Sequence, residues 1–177
     1  TPNSDNSYRS NFFIPLTEVE FNKRELQLDP YLVGTLIGDG SLSGTGMIEL
    51  SLGFNKEHIL SNLVLPEGIT FNAKRVERKN YIRVKFTGKD SKGRYLKDIL
   101  DEIGLFGTKS ATKFIPEDYL YSSLDDRKKL LEGLLDTDGY ISNRGFFNFS
   151  TVSEQLNKDI IELCRGLGKT LYQDLRI

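Results

Sequence analysis

Leu32-Val33-Gly34-Thr35-Leu36-Ile37-Gly38-Asp39-Gly40 is written a second time as Leu131-Glu132-Gly133-Leu134-Leu135-Asp136-Thr137-Asp138-Gly139. Each copy is an apolar run with a small residue at its third and seventh positions, closed by Asp-Gly. With the closing glycines at 40 and 139, each copy can head a structural repeat of domain scale. Asp29-Pro30 before the first copy is a helix start, an N-cap followed by a proline in the first turn. Ser123-Leu124-Asp125-Asp126 before the second is another, a capping serine followed by acids. Gly40 and Gly139 are expected to close the helices in the left-handed conformation. Both copies therefore read as helices of about three turns.

Gly34 and Gly38 in one copy, and Gly133 and Thr137 in the other, are four apart and share a helix face. A glycine inside a helix costs about 1 kcal/mol relative to alanine, so the pattern needs a reason. Close packing of the two helices through these four residues supplies one. The packing would bring Asp39 and Asp138 together at the C-terminal ends of both helices, where the dipole disfavours negative charge. Two carboxylates there require that one be protonated or that a cation lie between them. Carboxylate oxygens, with the carbonyls of Gly38 and Thr137 at the helix ends, suit a hard divalent ion such as Mg2+. Such an ion polarises phosphate and activates water.

Both stretches resemble the LAGLIDADG signature, and two copies in one chain are similar to the monomeric double-motif homing endonucleases, particularly those carried in inteins. In that family the catalytic acid is the eighth motif residue, here Asp39 and Asp138. The first copy departs at its sixth position, Ile37, where the second has Asp136, a position the family tolerates. Lys113-Phe114-Ile115-Pro116 resembles the Lys-x-Ile-Pro stretch that precedes the second motif, which makes Lys113 the matching catalytic lysine. The resemblance implies an α/β (α+β) fold of two pseudo-two-fold repeats, whose antiparallel sheets form a saddle on DNA and whose motif helices pack at the dyad. It also implies Mg2+-dependent cleavage of both strands of a long, non-palindromic site, across the minor groove, leaving 3′ extensions.

The chain has 177 residues, 38% hydrophobic and 28% charged, ordinary for a globular protein. No apolar run approaches the ~20 residues that span a bilayer, and no secretory signal opens the sequence. One cysteine, Cys164, at a helical apolar spacing reads as a core thiol in a reducing compartment. With a single histidine there is no Cys/His zinc site. The expectation is a cytoplasmic monomer of a microbe or virus, with no membrane partner.

The net charge of −1 hides its distribution. Residues 74–94 carry Lys74, Arg75, Arg78, Lys79, Arg83, Lys85, Lys89, Lys92 and Arg94 against Glu77 and Asp90 alone, an electrostatic footprint for phosphates. Two strands are expected around a Lys79-Asn80 turn. In the second, Ile82, Val84 and Phe86 face one way, and Tyr81, Arg83, Lys85 and Thr87 the other, with no compensating acid. Arg83 and Lys85 could reach base edges, and the turn and flanking lysines could hold phosphates. Arg144 and Asn148 are the corresponding candidates in the second half.

Residues 1–29 read as linker and lead-in, 30–122 as the first repeat and 123–177 as a second that stops short. Residues 1–11 are polar and turn-rich, and Phe12-Phe13-Ile14-Pro15-Leu16 is a short apolar run. Ile48, Leu50, Leu52 and Phe54 alternate as a strand; Asn55 to Leu65 reads as a helix with Ile59, Leu60, Leu63 and Val64 inward and His58 solvated or capping. Tyr95 to Ile103 is an amphipathic helix. A hairpin around Asn143-Arg144-Gly145, a helix capped by Ser153 and a strand Leu171–Ile177 complete the chain. The second half is cut short, lacks residues around Lys169-Thr170, or has decayed. Thr1 and the absence of a terminal His-Asn pair speak against self-splicing by this chain alone, although splicing segments could flank it. Beside a site-specific endonuclease stand a non-cleaving DNA or RNA binder, such as a maturase or transcription factor, and a degenerate intein insert. Metal-dependent nicking separates the first from the others.

Overall fold

The computed structural model describes residues 16–44, 46–143 and 147–170. The expected linker over 1–11, the apolar residues 12–15, Arg144 and the strand at 171–177 lie outside them. The described residues form a mixed α/β structure with a four-stranded antiparallel sheet, a two-stranded sheet and six helices. None of those helices is long and apolar enough to cross a membrane.

Helix α1, Pro30–Asp39, starts where Asp29 accepts hydrogen bonds from the amides of Tyr31 and Leu32 at 3.0 and 3.3 Å. It is buried from Pro30 to Ile37 because it is covered on two sides. On one side is the sheet β1-β2-β4-β3, made of β1 Gly40–Ser41, β2 Glu49–Gly53, β3 Ile69–Val76 and β4 Tyr81–Gly88. Leu50, Leu52, Ile82, Val84 and Phe86 supply its inner face, closed by Leu96, Ile99 and Leu100 of α3, Leu96–Glu102. On the other side is α5, Leu124–Asp138, capped by Ser123 through the Asp126 amide.

The contact between α1 and α5 is reciprocal. A methyl group at Gly34 would press on the Leu130 carbonyl and stand 3.0 Å from the Leu134 amide; one at Gly133 would press on the Tyr31 carbonyl and stand 2.9 Å from the Thr35 amide. Each glycine thus meets the carbonyl three residues before its counterpart. Backbones this close exclude any Cβ, which accounts for the glycines inside both helices. Gly38 instead faces the Thr137 side chain.

Both helices lead directly into strands, which changes the backbone expected at the closing glycines. Gly40 (φ −75°, ψ 136°) and Gly139 (φ −85°, ψ 154°) are extended rather than left-handed. Their amides donate back to Leu36 and Leu135 while the chain turns into β1 and into β5, Gly139–Ile141. Glycine is required by the crowding of that turn, where a Cβ at either would collide with the helical carbonyl four residues earlier.

The expected helix over 55–65 is broken. A 3-10 turn, Phe54–Lys56, precedes a single-turn α2, Ile59–Asn62, and Leu63 is extended. Pro66 disfavours helix just before it, and Lys56 is drawn towards the helix ends described below. Val64, expected inward, is 59% exposed. A second 3-10 turn, Glu77–Lys79, closes with Asn80 left-handed at φ 56°, as the β3–β4 turn requires.

The second half repeats the order helix–strand–strand: α5, β5, and β6 Phe147–Phe149. Gly139 pairs with Phe149 as Gly40 pairs with Leu50. The covering differs. Ile141 and Phe147 are 64% and 67% exposed, whereas Leu42 and Ile48, at the corresponding places of the first half, are 1% and 2% exposed. Helix α6, Glu154–Gly166, is capped by Ser153 and turns Leu156, Ile160, Leu163 and Cys164 inward. Burial pushes the Cys164 thiol up to about 11. The lead-in from 16 to 29 is tied to α5 and α6: Arg127, fully buried, donates to the carbonyls of Ser122 and Val19 and lies over the Phe21 ring at 4.8 Å. The Val19 amide donates to Gly166 at 2.8 Å.

Candidate active site

Asp39 and Asp138 end α1 and α5, and the close approach of the helices brings them to one place. Burial raises the pKa of both, and the charge of Asp138 raises that of Asp39 further. Two lysines oppose this shift. Lys113, which precedes α4 (Glu117–Leu120), is buried, and its ammonium donates to the Gly38 carbonyl at 2.7 Å. Lys56 donates to the Thr137 carbonyl, with its ammonium 3.5 Å from Asp39 Oδ2. Burial lowers the pKa of Lys113, while Asp138 and Asp39 raise it.

The four groups form a near two-fold set, with one carboxylate and one lysine-capped carbonyl at each helix end. The repulsion between the acids is thus met by positive charge beside them, as one of the two sequence alternatives requires, but that charge comes from the protein's own ammonium groups. It also changes the ligand count. The carbonyls of Gly38 and Thr137, expected to be free for a metal, accept from Lys113 and Lys56, because a helix C-terminus attracts cations.

Lys56 escaped the sequence reading. It falls in the first turn of the expected helix over 55–65, and no spacing relates it to Lys113. A lysine three residues past a strand end is too common to mark a site.

Among the described residues no three His, Cys, Asp or Glu side chains converge as a ready metal cage. The donors present are nonetheless all oxygen, two carboxylates at one spot. Magnesium usually completes such a shell with water and phosphate oxygens, so the donor set fits it.

At the sixth motif position the two copies diverge for a visible reason. Ile37 is buried beneath the large sheet. Asp136 is partly exposed and accepts from the Tyr31 hydroxyl at 2.6 Å, with His58 Nε2 at 3.9 Å. Burial and Asp136 push the Tyr31 hydroxyl up to about 12.

The candidate nucleic-acid face is smaller than the charge count implies. By strand register, Ser41, Glu49, Ser51, Tyr81, Arg83, Lys85, Thr87, Thr70, Asn72 and Lys74 share the open face of the sheet. The missing acid is Glu49 on β2, opposite Lys85: it lies 3.1 Å from Lys85 Nζ and 3.8 Å from Arg83 Nε. Arg83 also donates to the Tyr81 hydroxyl at 2.8 Å. Arg75, expected among the contacts, pairs with Ile82 and therefore belongs to the inner face. There it ion-pairs with Glu57 and lies over the Phe54 ring. Lys89 lies over Tyr95, and Arg94 is tied to Asp90 and Glu102. Arg78 and Lys79 occupy the exposed β3–β4 turn. Asn148 lies on β6 opposite Tyr140.

No family model matches the chain. Over 69 residues, 39% of its length, it is 42% identical to a protein named replicative DNA helicase DnaB, from Mycobacterium intracellulare. The match covers 11% of that protein, so the matched stretch spans about a tenth of its relative's length.

Proposed function

We propose that this chain is a site-specific DNA endonuclease of the double-motif LAGLIDADG homing type, carried within an intein. The observation that carries the reading is the pairing of Asp39 and Asp138 at adjoining helix ends, each beside a lysine and held there by the reciprocal Gly34–Gly133 contact. An endonuclease needs acidic oxygens for a divalent ion and positive charge for a scissile phosphate, and this cluster offers both within one polar spot. A match confined to 11% of a replicative helicase is what a segment inserted into a host protein gives.

Asp39 and Asp138 would hold Mg2+, which when bound polarises a phosphate oxygen and lowers the pKa of water. The chain's own groups do the rest. Lys113 and Lys56 place positive charge where the phosphate becomes more negative in the transition state. Lys113, whose charge burial disfavours and Asp138 and Asp39 favour, is also placed to orient the attacking water as a donor. Lys74, Arg83 and Lys85 on the open face, with Arg78 and Lys79 at its tip, hold duplex DNA. Glu49 sets the direction of the two central cations.

The test is nicking of a long DNA library with and without Mg2+ by this chain and by Asp39→Asn and Asp138→Asn. Cuts at one sequence that need the metal and vanish in both variants are expected. Sequence-specific binding without any cut would support a second reading, a DNA-binding relative that does not cleave. That reading is favoured by the exposure of Ile141 and Phe147, where the first half has a covered sheet.

A further inference from the structure

Lys113 sits in a stretch that is neither helix nor strand, yet its ammonium has to meet one carbonyl. A long side chain on irregular backbone has no built-in aim. The aim comes from α6, an element on the far side of α5 in sequence. Ser153, its N-cap, donates its hydroxyl to the Lys113 carbonyl at 2.6 Å while accepting from the Leu156 amide at 3.2 Å. Two residues along, the Ile115 amide donates to Asp159 Oδ2 at 2.8 Å, and Asp159 Oδ1 accepts from Gln155 at 2.7 Å. The backbone on both sides of Phe114 is thus pinned to one helix, by side chains only 1% (Ser153) and 6% (Asp159) exposed.

An aspartate on the buried face of α6 has to be accounted for. Its inward neighbours are Leu156, Ile160, Leu163 and Cys164, and an apolar residue at 159 would avoid the cost of desolvating a carboxylate. What Asp159 provides instead is an acceptor for the Ile115 amide, a group that belongs to no regular element.

We propose that Ser153 and Asp159 are positioning residues that hold the Lys113 ammonium on the carbonyl end of α1, so that the helix after the second motif sets the geometry at the end of the first. The kinetic consequence rests on the endonuclease reading; the geometric one does not.

The test uses the full chain. Ser153→Gly keeps most of the helix capping but has no hydroxyl to donate, and Ser153→Thr keeps both functions. Ser153→Asp, which caps but cannot donate, is the second variant should the glycine melt early. Asp159→Asn, which keeps an acceptor for the Ile115 amide, is the conservative partner of Asp159→Ala. In the DNA-free protein, amine labelling of Lys113 is followed by mass spectrometry against the exposed Lys128. Labelling at Lys113 is expected to rise several-fold in Ser153→Gly and Asp159→Ala and to stay at the wild-type rate in Ser153→Thr and Asp159→Asn. In nicking, kcat is expected to fall about 100-fold, as for a misplaced reacting group, with KM and duplex affinity unchanged. Wild-type labelling at Lys113 in both Ser153→Gly and Ser153→Asp overturns the proposal, as does a loss that appears in KM alone. Absence of nicking by the wild type refutes the endonuclease reading and leaves the labelling result to decide the positioning.

Discussion

Replacing Gly34 by alanine tests whether the two helices meet backbone to backbone. Helix propensity alone favours the change by about 1 kcal/mol. The structure opposes it: the methyl group would overlap the Leu130 carbonyl and lie 3.0 Å from Leu134 N and 3.2 Å from Gly133 C. All three atoms are backbone and cannot rotate away, so α1 and α5 must separate. A gap of about 0.5–1 Å forfeits a quarter to a half of the dispersion energy of each facing atom pair. Over-packing of this kind costs about 3 kcal/mol, which leaves a net loss of about 2 kcal/mol. For 177 residues that corresponds to a Tm about 4–8 °C lower. Gly38→Ala has a different obstacle, the Thr137 side chain with its Cβ at 2.6 Å. Thr137→Gly in the same chain should therefore recover most of the loss at 38, while no side-chain change should rescue Gly34→Ala. Urea unfolding followed by circular dichroism reads all four proteins. A neutral or stabilising Gly34→Ala, or a double variant no better than Gly38→Ala, would refute the close packing.

Lys56→Met is expected to lower metal-dependent nicking by about 100-fold or more, as when one charge-stabilising donor is removed, with duplex affinity little changed in a gel-shift assay. Lys85→Ala should weaken binding and reduce the slope of log K against log salt by about 1. Arg75→Ala should leave that slope unchanged and lower stability instead, since Arg75 serves Glu57 and Phe54 on the inner face. Glu49→Gln should strengthen non-specific binding by freeing Arg83 and Lys85. The Cys164 thiol, raised to about 11 by burial, favours the folded state while it stays protonated. Its contribution is therefore complete below about pH 8.5, the unfolded value, and is lost as pH rises to about 11. Urea midpoints from pH 8 to 11 should fall less steeply in Cys164→Ala, and thiol reagents should reach Cys164 only on unfolding.

Legible from the residues alone were the two motif helices, the faces through which they meet and the juxtaposition of Asp39 with Asp138. Glycines four apart and an Asp-Gly stop are local signals, and a 3.6-residue repeat turns them directly into a shared face. The β3–β4 hairpin was legible for the same reason, because alternation fixes which side of Ile82, Val84 and Phe86 carries Arg83 and Lys85. What depended on register between strands was not legible. Glu49 lies 34 positions before Arg83, and only the β2–β4 pairing puts it beside that arginine, just as only the β3–β4 pairing turns Arg75 inward. The backbone at Gly40 and Gly139 is not legible from sequence, because a glycine after a helix suits either a left-handed cap or a crowded turn into a strand. The tertiary structure alone brought Lys56 and Lys113 to the adjoining C-terminal ends of α5 and α1. A helix terminus offers its carbonyls to any cation that can reach it, and reach is a property of the folded chain.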